Sequence, residues 1–180
     1  MGDRSYYRNR KIGIEDMRCG STSAKVPTTG GPTWSQIGTS GIYTHKFAKG
    51  DVIWLEMQMS HGYLDGTAYT FHVHWAPDDA GAGNVNWKLT YQAVAIAAAF
   101  SGAASSDTGT DLLDATTSTA YVHHLTPEST LSGAGLTASF VLIGKLERVD
   151  DAADTYTGGA FFFSADCHYR KAWRGTDIGR

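Results

Sequence analysis

The chain has 180 residues, a formal net charge of −3 and 42% hydrophobic residues, which suits one globular domain with a sizeable core. No apolar run approaches the roughly 20 residues that a membrane-spanning helix needs, so no membrane association is predicted. Cys19 and Cys167 are too few for a disulfide scaffold, and both are predicted to be free thiols. The first residues lack the apolar stretch of a secretory signal, which predicts synthesis and assembly in a cytosol.

The first 40 residues show little periodicity and many small or turn-forming residues, so they predict an extended N-terminal arm. Residues 1–25 hold six basic residues against three acidic ones, a balance that suits docking on a protein partner. The rest of the chain has no basic stripe, so direct binding to nucleic acid is not expected. The predicted organisation is an arm at 1–40, a β-sandwich at 41–172 and a C-terminal tail at 173–180.

Alternating apolar and polar residues then predict strands along most of the chain. In chain order, these runs lie at residues 42–47, 52–59, 69–75, 85–102, 120–126, 136–149 and 159–170. Residues 94–102 are rich in alanine and are interpreted as the end of a long strand, with a short helix as the alternative. Turn-forming residues separate them, and no amphipathic helical segment lies between them. The chain is therefore predicted to be an all-β protein, an antiparallel two-sheet β-sandwich of the jelly-roll kind.

The segment from residue 69 to residue 91 carries the clearest pattern. Phe71, Val73 and Trp75 alternate with polar residues, and a second alternating run follows after Pro77 and a Gly-rich turn. Two such runs around a short turn predict a β-hairpin with one buried face. The aromatic residues within the strands, including Trp54, Trp75 and Trp87, are predicted to be buried or half-buried, whereas Trp34 and Trp173 are better placed for contact with a partner.

The same segment contains the only arrangement that suggests metal chemistry. His72 and His74 are two residues apart on a strand, so both imidazoles project from one face and can chelate one ion, as in cupin-type jelly rolls. The Glu that a cupin needs after the pair is missing, and His123, His124 and His168 have no fixed distance from it. The alternative is that these side chains hydrogen-bond across strands. No metal site and no cofactor are predicted, and His72 and His74 stay the two candidate ligands.

The other histidines and acidic residues are explained by strand pairing and turns, without a catalytic or metal-binding role. His123 and His124 are adjacent, so they face opposite sides of a strand, while Asp166 and His168 share one face and favour cross-strand pairing. The acidic run at residues 150–154 lacks the glycine and glutamate of a calcium loop and predicts a solvated turn. No GxSxG, HExxH, P-loop or GxGxxG pattern occurs, so no catalytic residue is assigned and the protein is not expected to be an enzyme.

Two motifs carry a resemblance to a known family. The order His72-Val73-His74-Trp75-Ala76-Pro77, then Gly83-Asn84-Val85 with Trp87 and Leu89-Thr90-Tyr91, resembles small structural proteins of tailed bacteriophages and prophages. The pattern, HxHW followed by GNVxWxLxY, is joined by similar residues at 151–156 and 166–169, so the resemblance covers roughly residues 42–170. It implies a virion component assembled in the host bacterial cytoplasm, with no catalytic pattern and no metal role for His72 or His74.

Three functions follow from these observations. The resemblance implies a capsid decoration (cement) protein that associates as dimers or trimers and contacts the major capsid protein or another virion protein, partly through the arm. The alternative is a neck, tail or fibre component that binds a receptor or glycan, which exposed, clustered aromatic side chains would favour. A cupin-like metalloprotein that uses His72 and His74 is the third, and stoichiometric bound metal would favour it.

Overall fold

A computed structural model describes residues 13–100, 105–107 and 112–172. Within these ranges, twelve strands form two antiparallel sheets whose inner faces pack on each other. In chain order the strands are β1 (Gly13–Gly20), β2 (Thr33–Gln36), β3 (Tyr43–Phe47), β4 (Val52–Gln58), β5 (Tyr69–Pro77), β6 (Asn84–Val94), β7 (Ser105–Asp107), β8 (Leu113–Ala115), β9 (His124–Leu125), β10 (Ser129–Leu131), β11 (Val141–Arg148) and β12 (Ala160–Lys171). The predicted all-β, antiparallel two-sheet sandwich is confirmed. None of the helices in the described part of the chain is long and apolar enough to cross a membrane.

The larger sheet has seven strands, in the order β10-β5-β12-β3-β2, with β1 also paired to β12 and β9 to β5. The smaller sheet has five strands, in the order β4-β11-β6-β7, with β8 also paired to β6. The core between them is aromatic. Phe47 contacts Trp87 and Phe162 edge to face, with ring centroids 5.0 and 6.0 Å apart, so the two sheets interlock through large rings.

The predicted hairpin between residues 69 and 91 is wrong, although both of its strands exist. β5 lies in the larger sheet and β6 in the smaller one, so the turn between them carries the chain across the sandwich. Each strand has a fully apolar inner face, with Val73 on β5 and Leu89 on β6 both completely buried. When the two strands lie in opposite sheets, their apolar faces pack on each other and both are buried. If the strands paired side by side in one sheet, both apolar faces would lie on the same side and would need a second sheet to cover them.

The structure also corrects the boundary of the predicted arm. Residues 13–20 form β1, which pairs with β12 over eight residues, and residues 33–36 form β2 at the edge of the same sheet. Met17 and Cys19 of β1 are buried in the core, which explains why this segment joins the sandwich. Residues 1–12 of the arm and the predicted tail at 173–180, including Trp173, lie outside the described residues.

The acidic turn at 150–154 is not entirely solvated, because Asp154 is buried with Arg148 of β11. The guanidinium donates to both carboxylate oxygens, Nε to Oδ2 at 2.8 Å and Nη2 to Oδ1 at 2.9 Å. Such a two-point ion pair satisfies both charges and fixes the loop that joins β11 to β12. Cys19 and Cys167 are buried free thiols, as predicted.

Candidate functional site

The outer face of the larger sheet carries a histidine cluster, made of His72, His74, His123, His168 and Asp166. The strand register brings it together: Asp166 of β12 lies opposite His72 of β5, and His74 lies two residues further along the same strand. Side chains alternate along a strand, so all three point away from the aromatic core. The prediction that His72 and His74 share one face is confirmed.

The atoms of this cluster lie at ligand-like spacing. His72 Nε2 is 3.1 Å from His74 Nε2, and His74 Nε2 is 3.4 Å from Asp166 Oδ2. His123 Nε2 is 2.8 Å from the other ring nitrogen of His74, and the two imidazoles stack with centroids 5.0 Å apart. His72 and Asp166 are each only 1% exposed, which is unusual on the outer face of a sheet.

The pKa values of His72, His74 and Asp166 are all lowered, which favours the neutral form of the histidines and the charged form of the carboxylate. Burial lowers the pKa of His72, and the neighbouring His168 and His74 lower it further. The pKa of His74 is also lowered by burial, against the opposing attraction of Asp166. Burial would raise the pKa of Asp166, but hydrogen bonds from Arg18 and Ser164 reverse the net shift. His72 and His74 are therefore neutral near pH 7 beside the charged Asp166 carboxylate.

Arg18 supplies the positive charge next to that carboxylate. Its Nε and Nη2 atoms lie 2.9 and 2.8 Å from Asp166 Oδ2, although its own side chain is 59% exposed. Asp166 Oδ1 and His72 Nδ1 are buried and have no hydrogen-bond partner. The cluster is thus a set of buried polar side chains in which some atoms have hydrogen-bond partners and others have none.

The remaining histidines behave as their positions in the sequence predict. His123 and His124 face opposite sides: His123 meets His74, while His124 stacks on the buried Trp75, with centroids 4.8 Å apart. His168 pairs across strands, its Nδ1 lying 2.7 Å from Glu128 Oε1 and its Nε2 3.3 Å from Asp16 Oδ1. The sequence does not indicate that Asp166 joins His72 and His74, because this depends on the register of β5 and β12 beside a bulge at residues 162–164.

A second site lies on the outer face of the smaller sheet. It is a groove of about 400 Å³, here called the aromatic groove, and its outward side chains are Trp54, Thr90, Gln92, Phe100, Ile143 and Lys145. Two cross-strand rows build its floor. One row joins Trp54 of β4, Lys145 of β11 and Thr90 of β6, and in the next row Ile143 lies opposite Gln92.

Three apolar side chains of the aromatic groove face solvent. Trp54 is 47% exposed, Phe100 is 55% exposed and Ile143 is 41% exposed. Trp54 exposes about half of its surface and so meets the half-buried end of the expectation for strand tryptophans, whereas Trp75 and Trp87 are fully buried. The alternation of Ile53 and Leu55 toward the core already requires Trp54 to point outward, so the sequence contained this signal.

A further exposed tryptophan lies on a different part of the molecule. Trp34 of β2 is 51% exposed and contacts the buried His45 edge to face, with ring centroids 4.9 Å apart. Tyr43, on the neighbouring strand, is 48% exposed. Trp34 was expected outside the strands and lies within β2 instead, while its predicted contact with a partner stays a prediction. Its position at the far edge of the larger sheet separates it from the aromatic groove.

Comparison with known proteins gives only structural matches. No family model and no curated protein matches the sequence. One similar solved structure is the CBM36-1 domain of a multidomain xylanase from the hindgut metagenome of Trinervitermes trinervoides, with 8% identity and a TM-score of 0.46 over 85% of this chain and 96% of that one. Another is a CBM36 carbohydrate-binding module in complex with calcium and xylotriose, with 14% identity and a TM-score of 0.43 over 83% of this chain and 98% of that one.

These findings overturn the prediction of a capsid decoration protein. The similar solved structures are carbohydrate-binding modules, and much of the segment predicted to attach the protein to a capsid belongs to the sandwich itself. The exposed, clustered aromatic side chains are the feature that the alternative, a glycan-binding role, requires. The phage resemblance, the virion location and the association into dimers or trimers stay predictions.

Proposed function

We propose that the protein binds a neutral carbohydrate chain in the aromatic groove and that it acts by binding, without catalysis. The observation that carries this proposal is the grouping of Trp54, Phe100 and Ile143 on an outer sheet face where polar side chains are the rule. An apolar patch that is rimmed by polar groups marks an interaction site.

The groove has the two kinds of group that sugar recognition needs. The C–H face of a pyranose ring packs on the flat faces of Trp54 and Phe100, while its hydroxyls exchange hydrogen bonds with polar side chains. Thr90, Gln92 and Lys145 line the same depression. From β4 to β6 the floor spans two strand spacings, about 9.6 Å, which gives room for more than one sugar ring.

The charge of the groove favours an uncharged ligand. Lys145 Nζ lies 2.8 Å from Glu147 Oε2 on the same strand, so its charge is already balanced. An acidic polysaccharide would have to compete with that carboxylate, whereas a neutral one requires only hydrogen bonds. β4 is the edge strand of the smaller sheet, but beside the groove its outer backbone groups already bond to Lys25 at Trp54 and to Gly30 at Val52, so a peptide would have to displace these contacts to join the sheet there.

Calcium has no assigned part in this proposal. One of the similar modules binds xylotriose together with calcium. Among the described residues, however, both side-chain clusters with metal-ligand spacing contain histidine, and Ca²⁺ prefers sites made wholly of oxygen ligands. We therefore expect carbohydrate binding in the aromatic groove to persist in the presence of a chelator.

The test is electrophoresis through gels that contain neutral xylan, β-glucan or mannan, followed by calorimetry with the polysaccharide that retards the protein most. Trp54→Ala should weaken binding about tenfold or more, since an aromatic stack is worth roughly 0.5–1.5 kcal/mol beyond the area it buries. Trp34→Ala is the matched control, because it removes an equally exposed tryptophan from the other sheet.

Two results would contradict the proposal. One is that none of the three polysaccharides retards the wild-type protein. The other is that Trp54→Ala and Trp34→Ala bind equally well while both variants keep the wild-type melting temperature. Capture of a peptide or protein in the groove in place of a polysaccharide would likewise show that the ligand class is wrong.

A further inference from the structure

The histidine cluster lies on the other sheet from the aromatic groove, and its function is independent of carbohydrate binding. We propose that His72, His74 and Asp166 form a binding site for a divalent transition metal ion of the zinc class on the outer face of the larger sheet. The ligands would be Nε2 of both histidines and one carboxylate oxygen of Asp166.

The spacing of the ligand atoms matches a tetrahedral zinc site. With bonds of about 2.0–2.1 Å from zinc to nitrogen or oxygen, the edge of the coordination tetrahedron is about 3.3 Å. The distance between the two Nε2 atoms is 3.1 Å, and that from His74 Nε2 to Asp166 Oδ2 is 3.4 Å. The ligand atoms of His72 and Asp166 lie within 4.8 Å of each other. An ion therefore fits once that third edge closes to the tetrahedral spacing, and a fourth position stays open for another ligand.

Burial supplies an independent reason for an ion here. His72 and Asp166 are each 1% exposed, and His72 Nδ1 and Asp166 Oδ1 both lack hydrogen-bond partners. A buried carboxylate oxygen without a partner costs roughly 1–3 kcal/mol or more, and this cost is removed when the carboxylate turns to place Oδ1, instead of the Arg18-bound Oδ2, on the cation. Imidazole and carboxylate together are a donor set that suits zinc.

The residues around the ligands resemble the outer support of a metal site. His123 Nε2 lies 2.8 Å from His74 Nδ1, where it can accept the proton of that ring nitrogen and leave Nε2 free for a metal. Metal-binding histidines almost always have such a partner on their second nitrogen, and of the two proposed ligands His74 has one, whereas His72 Nδ1 has none. The His123 side chain comes from the loop before β9 and lies over β5.

Arg18 competes with the proposed metal ion for the Asp166 carboxylate. Its guanidinium already neutralises Asp166, with both contacts made to Oδ2. The arginine side chain is 59% exposed, so it can leave for solvent at little cost, whereas the carboxylate cannot. Removal of Arg18 should therefore tighten metal binding, because Asp166 would then have no other cation nearby among the described residues.

An overlapping group, His72 with Glu128 and His168, also has ligand spacing. In that group, both ring nitrogens of His168 already face carboxylates, those of Glu128 and Asp16. The Glu128 side chain is 45% exposed, so its charge is solvated. These contacts satisfy His168 without an ion, and we therefore assign the metal to the group that contains His74 and Asp166.

The experiment uses the full chain after treatment with a chelator and its removal. Titration with zinc chloride, followed by calorimetry and by competition with a chromogenic chelator, should show one ion per chain. Cobalt(II) chloride should give the strong visible absorption of a four-coordinate ion. His74→Gln should weaken zinc binding at least about 100-fold, since even loss of a supporting residue costs 10- to 100-fold.

Two variants separate the proposed site from its alternatives. His168→Gln should keep wild-type zinc affinity, and Arg18→Ala should bind zinc more tightly than the wild-type chain. Melting temperatures measured without metal show that each variant is folded. The proposal is overturned if the wild-type chain binds no zinc, if His74→Gln binds as well as wild type, or if His168→Gln loses affinity as strongly as His74→Gln. Polysaccharide binding is measured separately by gel electrophoresis, so a negative result for zinc does not affect the proposal of carbohydrate binding, and the reverse also holds.

Discussion

Replacement of Arg148 by methionine is the sharpest test of how this sandwich is held together. Arg148 is completely buried, and all five of its N–H donors are used. Two donate to Asp154, at 2.8 and 2.9 Å, and three donate to backbone carbonyls. These carbonyls belong to Phe47 at 3.2 Å, Gly158 at 2.6 Å and Tyr156 at 2.6 Å. One side chain therefore joins β11, the end of β3 and the loop that leads into β12.

The expected cost of Arg148→Met follows from what it leaves behind. Methionine fills much of the same space, but the completely buried Asp154 carboxylate then has only Lys49, with Nζ at 3.4 Å, to balance its charge, and three carbonyls lose a donor. Removal of one partner of a buried ion pair typically costs about 3–5 kcal/mol. In a protein of this size that corresponds to a fall in melting temperature of roughly 10 °C, since 1 kcal/mol shifts it by about 2–4 °C.

Urea unfolding, followed by the fluorescence of the buried Trp75 and Trp87, measures this free energy. The double variant Arg148→Met/Asp154→Leu is the control, because it removes the buried carboxylate that has lost its main partner, leaves the partly exposed Lys49 to water, and should recover part of the loss. A loss below about 1 kcal/mol for Arg148→Met, or a double variant that is less stable than the single one, would show that the buried pair does not hold the loop as the structure indicates.

Two further predictions concern buried titratable groups. Burial lowers the pKa of His45, against a smaller opposing effect of a hydrogen bond that its ring donates to the backbone of Ser21. The unfolded chain therefore binds this proton more readily, and the stability that neutral His45 contributes above about pH 6.5 is lost as the pH falls. His45→Gln should flatten the pH dependence of the free energy of unfolding, measured with urea between pH 5 and 7.5, by at most about 1.4 kcal/mol per pH unit; an unchanged slope would refute this. Burial also raises the pKa of the Cys19 and Cys167 thiols. Neither thiol should react with a thiol reagent in the native protein, while both should react in urea, and rapid native labelling of either would contradict their burial.

The strands were predictable because side-chain alternation is a local property. The run at residues 52–59 was predicted almost to its observed end, and the structure places β4 at Val52–Gln58. Alternation shows that a strand has an apolar face, but it does not show which sheet that face belongs to. The predicted hairpin of β5 and β6 failed for this reason. β1 was missed because Met17 and Cys19 are its only buried residues, which is too short a pattern to recognise.

The two sites differ in how much of each could be read from the sequence. The shared face of His72 and His74 follows from a spacing of two residues, but the addition of Asp166 needs a contact across nearly a hundred residues of chain. The aromatic groove depends equally on register, because Trp54, Lys145 and Thr90 come from three separate strands. Only the outward direction of Trp54 was available from its neighbours, and the default expectation that tryptophan is buried or half-buried hid it.

Both proposed sites are departures from the same rule, that the outer face of a sandwich carries polar, solvated side chains. On the smaller sheet the departure is apolar: Trp54 and Phe100 stay in solvent at the cost of unburied ring surface. On the larger sheet it is polar: His72 and Asp166 are buried outside the core, and each has an atom without a partner. Neither departure stabilises the isolated chain, and bound sugar in one case and a bound cation in the other would remove its cost. Saturating ligand at each site should therefore raise the melting temperature of the wild-type chain, whereas Trp54→Ala should abolish only the effect of the polysaccharide and His74→Gln only the effect of zinc.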